Sequence, residues 1–279
     1  MTSFENFFNY TPMAFDMVSH TLTLGFAVML AALFYFVLTI RTVAPRYRIS
    51  SVLSVVVMVS AFLILFFQQQ SWANAFAFNP DTGLYERAAG ASAFSNGYRY
   101  LNWLIDVPML LFQILFIVEI TRQRRASLRN WFFFSGSMMI ITGYIGQFFE
   151  MDADRTQFLL WGTISTVFFV HVLYLIYRVI AEARKDLSGQ AGAVMGSIWW
   201  LFLVSWMLYP GAYLMPLLLN SELGVVGRQI TFTVADITSK VFYGVLLARV
   251  AQLRSEAEGY VPEALIPGTG AGARAAAGD

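Results

Sequence analysis

The sequence predicts an all-α membrane protein, a bundle of seven transmembrane helices with its N-terminus outside and its C-terminus inside. Three observations predict it. The 279 residues are 58% hydrophobic and only 13% charged, with a mean hydropathy of +0.61, against roughly half apolar and about a quarter charged in soluble domains. Apolar runs near twenty residues, enough to cross about 30 Å of hydrocarbon, recur seven times. Arginine and lysine collect in alternate connections, which sets orientation by the positive-inside rule. The absence of cysteine excludes disulfide frameworks, zinc sites and thiol chemistry. A net charge of +1 gives no reason to expect a nucleic-acid partner.

The first span, Asp16–Thr42, follows an acidic and aromatic segment, Met1–Pro12, that lacks the basic start and small-residue cleavage site of a secretory leader. Arg41, Arg46 and Arg48 follow it on the inside. The second, Ser50–Phe76, leads into the longest loop, Ala77–Ser95, where Asn79-Pro80-Asp81 and Thr82-Gly83 can turn a short external β-hairpin. The third, Asn96–Thr121, ends at Arg122, Arg124, Arg125 and Arg129. The fourth, Ser127–Phe149, emerges at the acidic stretch Glu150, Asp152, Asp154 and Arg155. The fifth, Thr156–Ala181, returns to Arg178, Arg184 and Lys185. The sixth, Ala193–Leu219, emerges beside Glu222 and Arg228, and the seventh, Gly227–Leu253, ends at Arg249 and Arg254. No internal repeat is evident, so residues 1–258 read as one transmembrane domain. The Gly-, Ala- and Pro-rich 259–279 reads as a disordered tail.

Ionisable groups deep in a span cost at least a few kcal/mol each and mark functional sites. Three stand out: Asp106 in the third span, and Asp236 and Lys240 in the seventh. Lys240 is one of two lysines, twelve residues past Arg228 and nine before Arg249, so about 18 Å and 13 Å from those flanks. Asp236 lies one turn away on the same face. A buried ion pair pinning two helices would use the same two residues. Lysine in an apolar pocket, however, can act as a neutral nucleophile and condense with a carbonyl to a Schiff base, which then needs a carboxylate counter-ion.

At about 100° per residue, Arg99, Asn102, Asp106 and Gln113 share an arc of about 60° and form a polar stripe that must face the interior. Glu119 falls about 200° from Arg99 and reads as an interfacial residue near Arg122. Pro108 and Pro210 permit kinks. Trp199, Trp206, Tyr209 and Tyr213 line one face of the sixth span, and Trp103 sits beside the stripe. Such aromatic rows are more often packing, but beside a lone central lysine they suit walls around a long flat chromophore.

These residues resemble those of microbial rhodopsins. Asp236-Ile237-Thr238-Ser239-Lys240 is similar to the retinal-attachment signature, and Trp206-Met207-Leu208-Tyr209-Pro210 to the sixth-helix retinal wall. Arg99 through Asp106, with Gln113 seven residues on, resembles the Asn-Asp-Gln pattern of light-driven sodium-pumping rhodopsins. The resemblance implies all-trans retinal bound covalently to Lys240 as a Schiff base, in a pocket that includes Trp103, Met139, Gly143, Trp206, Tyr209, Pro210, Tyr213 and Ser239. It implies Asp106 as principal counter-ion and proton acceptor, Asn102 and Gln113 as neutral replacements for proton-pump carboxylates, and Ser60, Asn102 and Asp236 as transient sodium ligands. Ser54 and Gln113 would form the cytoplasmic gate, and Arg99 with Glu5, Glu150 and Arg228 the exit-side cluster, although exposed salt bridging would account equally well for the last three. It further implies a multi-pass protein of a prokaryotic cell membrane, a homo-oligomer (a pentamer by resemblance) and no soluble transducer.

Some positions depart from the pattern: Ser51 and Ala248 at the cytoplasmic mouth, and Ser92 and Phe15 where the family's inter-subunit contacts lie, with His20 matching its interface histidine. The resulting expectation is a transporter rather than an enzyme, a light-driven outward sodium pump. An outward proton pump is the alternative, above all without sodium, and a photosensory receptor a further one.

Overall fold

The computed structural model describes residues 3–187 and 189–262, so most of the expected tail, 263–279, lies outside the described residues. Helix α1 (Pro12–Thr39) begins where Thr11 Oγ1 accepts the Ala14 N–H at 3.3 Å, with proline in the first turn, where its missing N–H costs nothing. Helix α2 (Arg48–Ala75) runs directly into a hairpin, β1 (Phe76–Asn79) against β2 (Leu84–Arg87), antiparallel with Phe76 opposite Arg87 and Asn79 opposite Leu84. Gly83 takes φ 71° at the turn, which a side chain would oppose. The turn and β2 fall inside the predicted loop, and β1 starts one residue before it, at Phe76, the last residue of the predicted second span.

Then follow α3 (Gly97–Gln113), α4 (Arg122–Gln147), α5 (Thr156–Asp186), α6 (Gly189–Tyr213), the single turn α7 (Met215–Leu218), α8 (Glu222–Asp236) and α9 (Tyr243–Ala257). A π-helical stretch, Ile237–Phe242, joins α8 to α9 as one last span. Each long helix packs on the next, and α8 returns to α1, so the spans close a ring. Among the described residues, five stretches are long and apolar enough to cross a membrane: Pro12–Thr42, Pro45–Ala75, Thr156–Asp186, Gly189–Tyr213 and Glu222–Ala257. The other two, α3 with its polar stripe and α4 with its arginine-rich first turn, complete a seven-helix bundle. Its outer surface is apolar, with Phe34, Phe67, Val167 and Trp200 exposed, as lipid requires.

The third span is shorter than its apolar run. Regular helix ends at Gln113, followed by a 3-10 turn, Ile114–Phe116. Side chains of the last span take the carbonyls this leaves over, Tyr243 Oη donating to Leu110 O at 2.9 Å and Arg254 to Ile117 O at 2.6 Å. Glu119 pairs with Arg254 and Arg46 rather than sitting against Arg122. The first residues past α9 are also held, because Tyr260 Oη donates to Arg41 O at 3.0 Å and accepts from Arg48 at 3.0 Å.

At the opposite end, the N-terminal segment folds across the bundle. Tyr10 exchanges backbone hydrogen bonds with Tyr85 at 2.9 and 2.8 Å, and the Asn6 amide holds Phe94 O at 2.8 Å. Phe15 stacks flat on Tyr85 with ring centroids 3.8 Å apart. Within the chain, this position serves the hairpin.

Candidate functional site

Lys240 lies within the π stretch, where the backbone departs from regular helix in the middle of the span. Its ammonium is 1% exposed and stands 2.5 Å from Asp236 Oδ1. Asp236 is held from four directions. Trp103 Nε1 and Tyr209 Oη each donate to Oδ1 at 2.9 Å, and Arg99 donates to Oδ2 at 2.6 Å. Tyr209 Oη also meets Ser239 Oγ at 2.9 Å. A buried carboxylate survives only with such compensation. The direct contact of Lys240 is therefore Asp236, not Asp106, the residue expected as principal counter-ion.

Asp106 is fully buried two turns along α3 from Arg99. Asn102 Nδ2 donates to its Oδ2 at 2.7 Å and to Ser60 Oγ at 3.1 Å, while Asp106 Oδ1 and Asn102 Oδ1 face no partner. The stripe of Arg99, Asn102, Asp106 and Gln113 is buried throughout, as the helical arithmetic requires. Gln113 Oε1 accepts from Ser54 Oγ at 3.1 Å, which joins α3 to α2 at the arginine-rich end. The expected sodium triad is divided: Ser60 and Asn102 meet each other beside Asp106, whereas both oxygens of Asp236 are taken by Lys240, Trp103, Tyr209 and Arg99.

Lys240 lines a largely apolar cavity. Trp103, Met139, Gly143, Trp206, Tyr209, Pro210, Tyr213 and Ser239 all line it. Trp199 does not. It lies two turns beyond Trp206 and packs on Tyr177 with centroids 5.3 Å apart. The sequence reading missed Val107 and Leu110, which follow Trp103 at helical spacing, and Gly162, Thr166 and Phe169, which repeat at the same spacing on α5. That periodicity would have found them. The indole N–H of Trp206, itself a lining residue, is buried without a partner. An apolar chamber with aromatic walls, a single amine at one end and a carboxylate bonded to that amine fits a retinal group attached to Lys240.

The exit-side residues are buried rather than exposed. Arg228 contacts Glu150 at 2.8 Å and Glu5 at 3.6 Å, with all three at most 1% accessible. Burial raises the Glu150 carboxyl above the usual range, opposed by Arg228. Gln229, Asn96 and Gln68, none foreseen, complete a continuous hydrogen-bonded array. Arg99 reaches Thr233 at 2.9 Å and Gln229 at 3.3 Å, and Gln229 donates to Glu5 at 2.7 Å and Asn96 at 3.0 Å. The spacing of Gln229, Thr233, Asp236 and Lys240, at steps of four, three and four, carried that signal.

The chain is 31% identical over 151 residues to bacteriorhodopsin-II of Haloarcula marismortui, a match that covers 54% of this chain and 58% of that protein. It is 26% identical over 251 residues to archaerhodopsin-3 of Halorubrum sodomense, covering 87% and 88%. The crystal structure of xanthorhodopsin, described as a light-driven ion pump with dual chromophore, superposes with a TM-score of 0.83 at 32% identity, covering 91% of this chain and 99% of that one. The family described as "Bacteriorhodopsin-like protein" matches residues 16–253, and the chain, with a buried lysine–carboxylate centre inside a ring of helices, belongs to that family.

Proposed function

We propose that this chain is a light-driven ion pump whose transported ion is sodium, moved outward. Retinal held at Lys240 would supply light absorption and a change of shape next to a protonatable nitrogen. Trp103, Tyr209, Pro210 and Trp206 confine it, while Asp236, fixed by Arg99, Trp103 and Tyr209, holds a compensating negative charge at the Lys240 nitrogen. Asp106, near that nitrogen and with one bare carboxylate oxygen, can take and return a proton. A proton placed there removes positive charge from the path of a cation.

The observation that carries the sodium reading is where buried carboxylates stand. Among the described residues they are Glu5, Asp106, Glu150 and Asp236. At the level of the Ser54–Gln113 contact and beyond it toward the arginine-rich end, the buried polar groups are hydroxyls and amides, including Ser50, Ser51, Gln113 and Ser255. A proton pump would place a donor there. The bare oxygens of Asn102 and Asp106, next to Ser60, offer the hard ligands that sodium takes. A second reading, outward proton transport, is favoured by the hydrogen-bonded array from Asp236 through Arg99 and Gln229 to Glu5, which can relay protons.

The test is illumination of cells in unbuffered sodium chloride. Sodium export makes the interior negative and draws protons in, so the medium turns alkaline, more so with a protonophore, and the signal falls when potassium replaces sodium. Acidification that the protonophore cancels would establish the proton reading, and absence of any flux would indicate a sensor.

A further inference from the structure

Tyr243, which no expectation singled out, is the first residue of regular helix after the π stretch and lies three residues past Lys240. It is 1% exposed, and its hydroxyl donates to Leu110 O on α3 at 2.9 Å. In a continuing helix the N–H of Ile114 would take that carbonyl. Here the Ile114 N–H turns to Phe112 O, at the point where α3 loosens into its 3-10 turn. The last span therefore supplies a side-chain donor to Leu110 O in the final turn of α3. Three residues on, Gln113 holds Ser54. On its other side the Tyr243 ring meets Phe202 with centroids 4.7 Å apart, and Phe202 meets Trp206 at 5.0 Å, which in turn walls the chamber.

We propose that Tyr243 is a positioning residue that bolts the arginine-rich end of α3 to the last span, and that displacement of Trp206, passed on through Phe202, withdraws the bolt and frees the Ser54–Gln113 contact for ion uptake. The proposal deepens the transport reading and rests on it for the second half. Close-packed rings transmit small displacements because no free volume absorbs them. A segment fastened to its neighbour by a side-chain hydrogen bond has two discrete arrangements, bonded and released.

The experiment follows amide hydrogen exchange at 114–117 in the dark, with and without added retinal, in the parent and in Tyr243→Phe. The phenylalanine keeps the ring contacts and removes only the donor. Exchange there should rise severalfold, up to about tenfold, the size of one neutral hydrogen bond, with absorbance unchanged. After a flash, recovery of the dark state should change severalfold, and Phe202→Leu, which slows or speeds recovery in the parent, should have little further effect in the double variant. Unchanged exchange at 114–117 in Tyr243→Phe would overturn the bolt. Additive effects of the two substitutions on recovery would overturn its coupling to the chamber. If Tyr243→Phe did not fold, Phe202→Leu alone would decide: unaltered recovery would sink the coupling. Raised dark exchange in Tyr243→Phe, when the parent chain moves no ion, would leave the bolt standing and remove the transport reading instead.

Discussion

Asn102 donates its amide to Asp106 Oδ2 at 2.7 Å, one turn apart on α3, and leaves the other carboxylate oxygen bare. The pair thus combines a carboxylate able to accept a proton with a neutral neighbour that cannot. Asp236 is committed to Arg99, Trp103 and Tyr209 as well as to Lys240. The two buried carboxylates thus differ in their surroundings, Asp236 with both oxygens engaged and Asp106 with one bare.

Asn102→Asp adds a carboxylate beside Asp106. Sodium transport should fall at least tenfold while proton transport remains or grows, measured as pH change in illuminated cells with and without protonophore. Sodium transport left intact would remove Asn102 from the ion path.

Lys240→Ala removes the only amine that reaches the chamber. Protein purified with added retinal should be colourless. Visible absorbance that survives washing would place attachment elsewhere.

Asp106→Asn should move the visible absorbance to longer wavelength, because loss of negative charge near the Lys240 nitrogen favours the excited chromophore, and should abolish transport. Normal colour and normal proton transfer in that variant would shift the acceptor role to Asp236, the carboxylate in direct contact with Lys240.

Arg228→Gln leaves Glu5 and Glu150 buried without their shared cation. Breaking a buried pair in this way costs about 3–5 kcal/mol, so thermal unfolding followed by loss of colour should occur several degrees lower. Glu150→Gln in the same background should recover part of the loss, since it removes the charge left unpaired. No recovery would mean that the two side chains contribute independently.

Much of the architecture was legible before any coordinates. Apolar length and the arginine bias located seven spans, and turn residues located the hairpin, because a lipid environment forces each segment to satisfy its own backbone and so leaves a strong local signal. The interior stripe of α3 followed from helical spacing alone, whereas the cavity wall drew on the family resemblance, and Trp199, which spacing placed on that wall, packs on Tyr177 instead. The third span was misjudged because its apolar run continues through Phe112–Ile120, while the point where helix stops depends on carbonyls captured by Tyr243 and Arg254 from over a hundred residues away.

By itself the sequence determined the helices, the faces they bury and the chemical groups that meet in the interior, since composition and periodicity act within one segment. Only the tertiary structure decided how those groups pair. Arg99, Trp103 and Tyr209 converged on Asp236 from other helices, Ser60 joined Asn102 instead of Asp236, and Glu5, Glu150 and Arg228 became a buried cluster rather than exposed loop charges. The physical reason is competition: several donors surround each buried carboxylate, and which one reaches hydrogen-bonding distance depends on how separate helices dock, information that no single span contains.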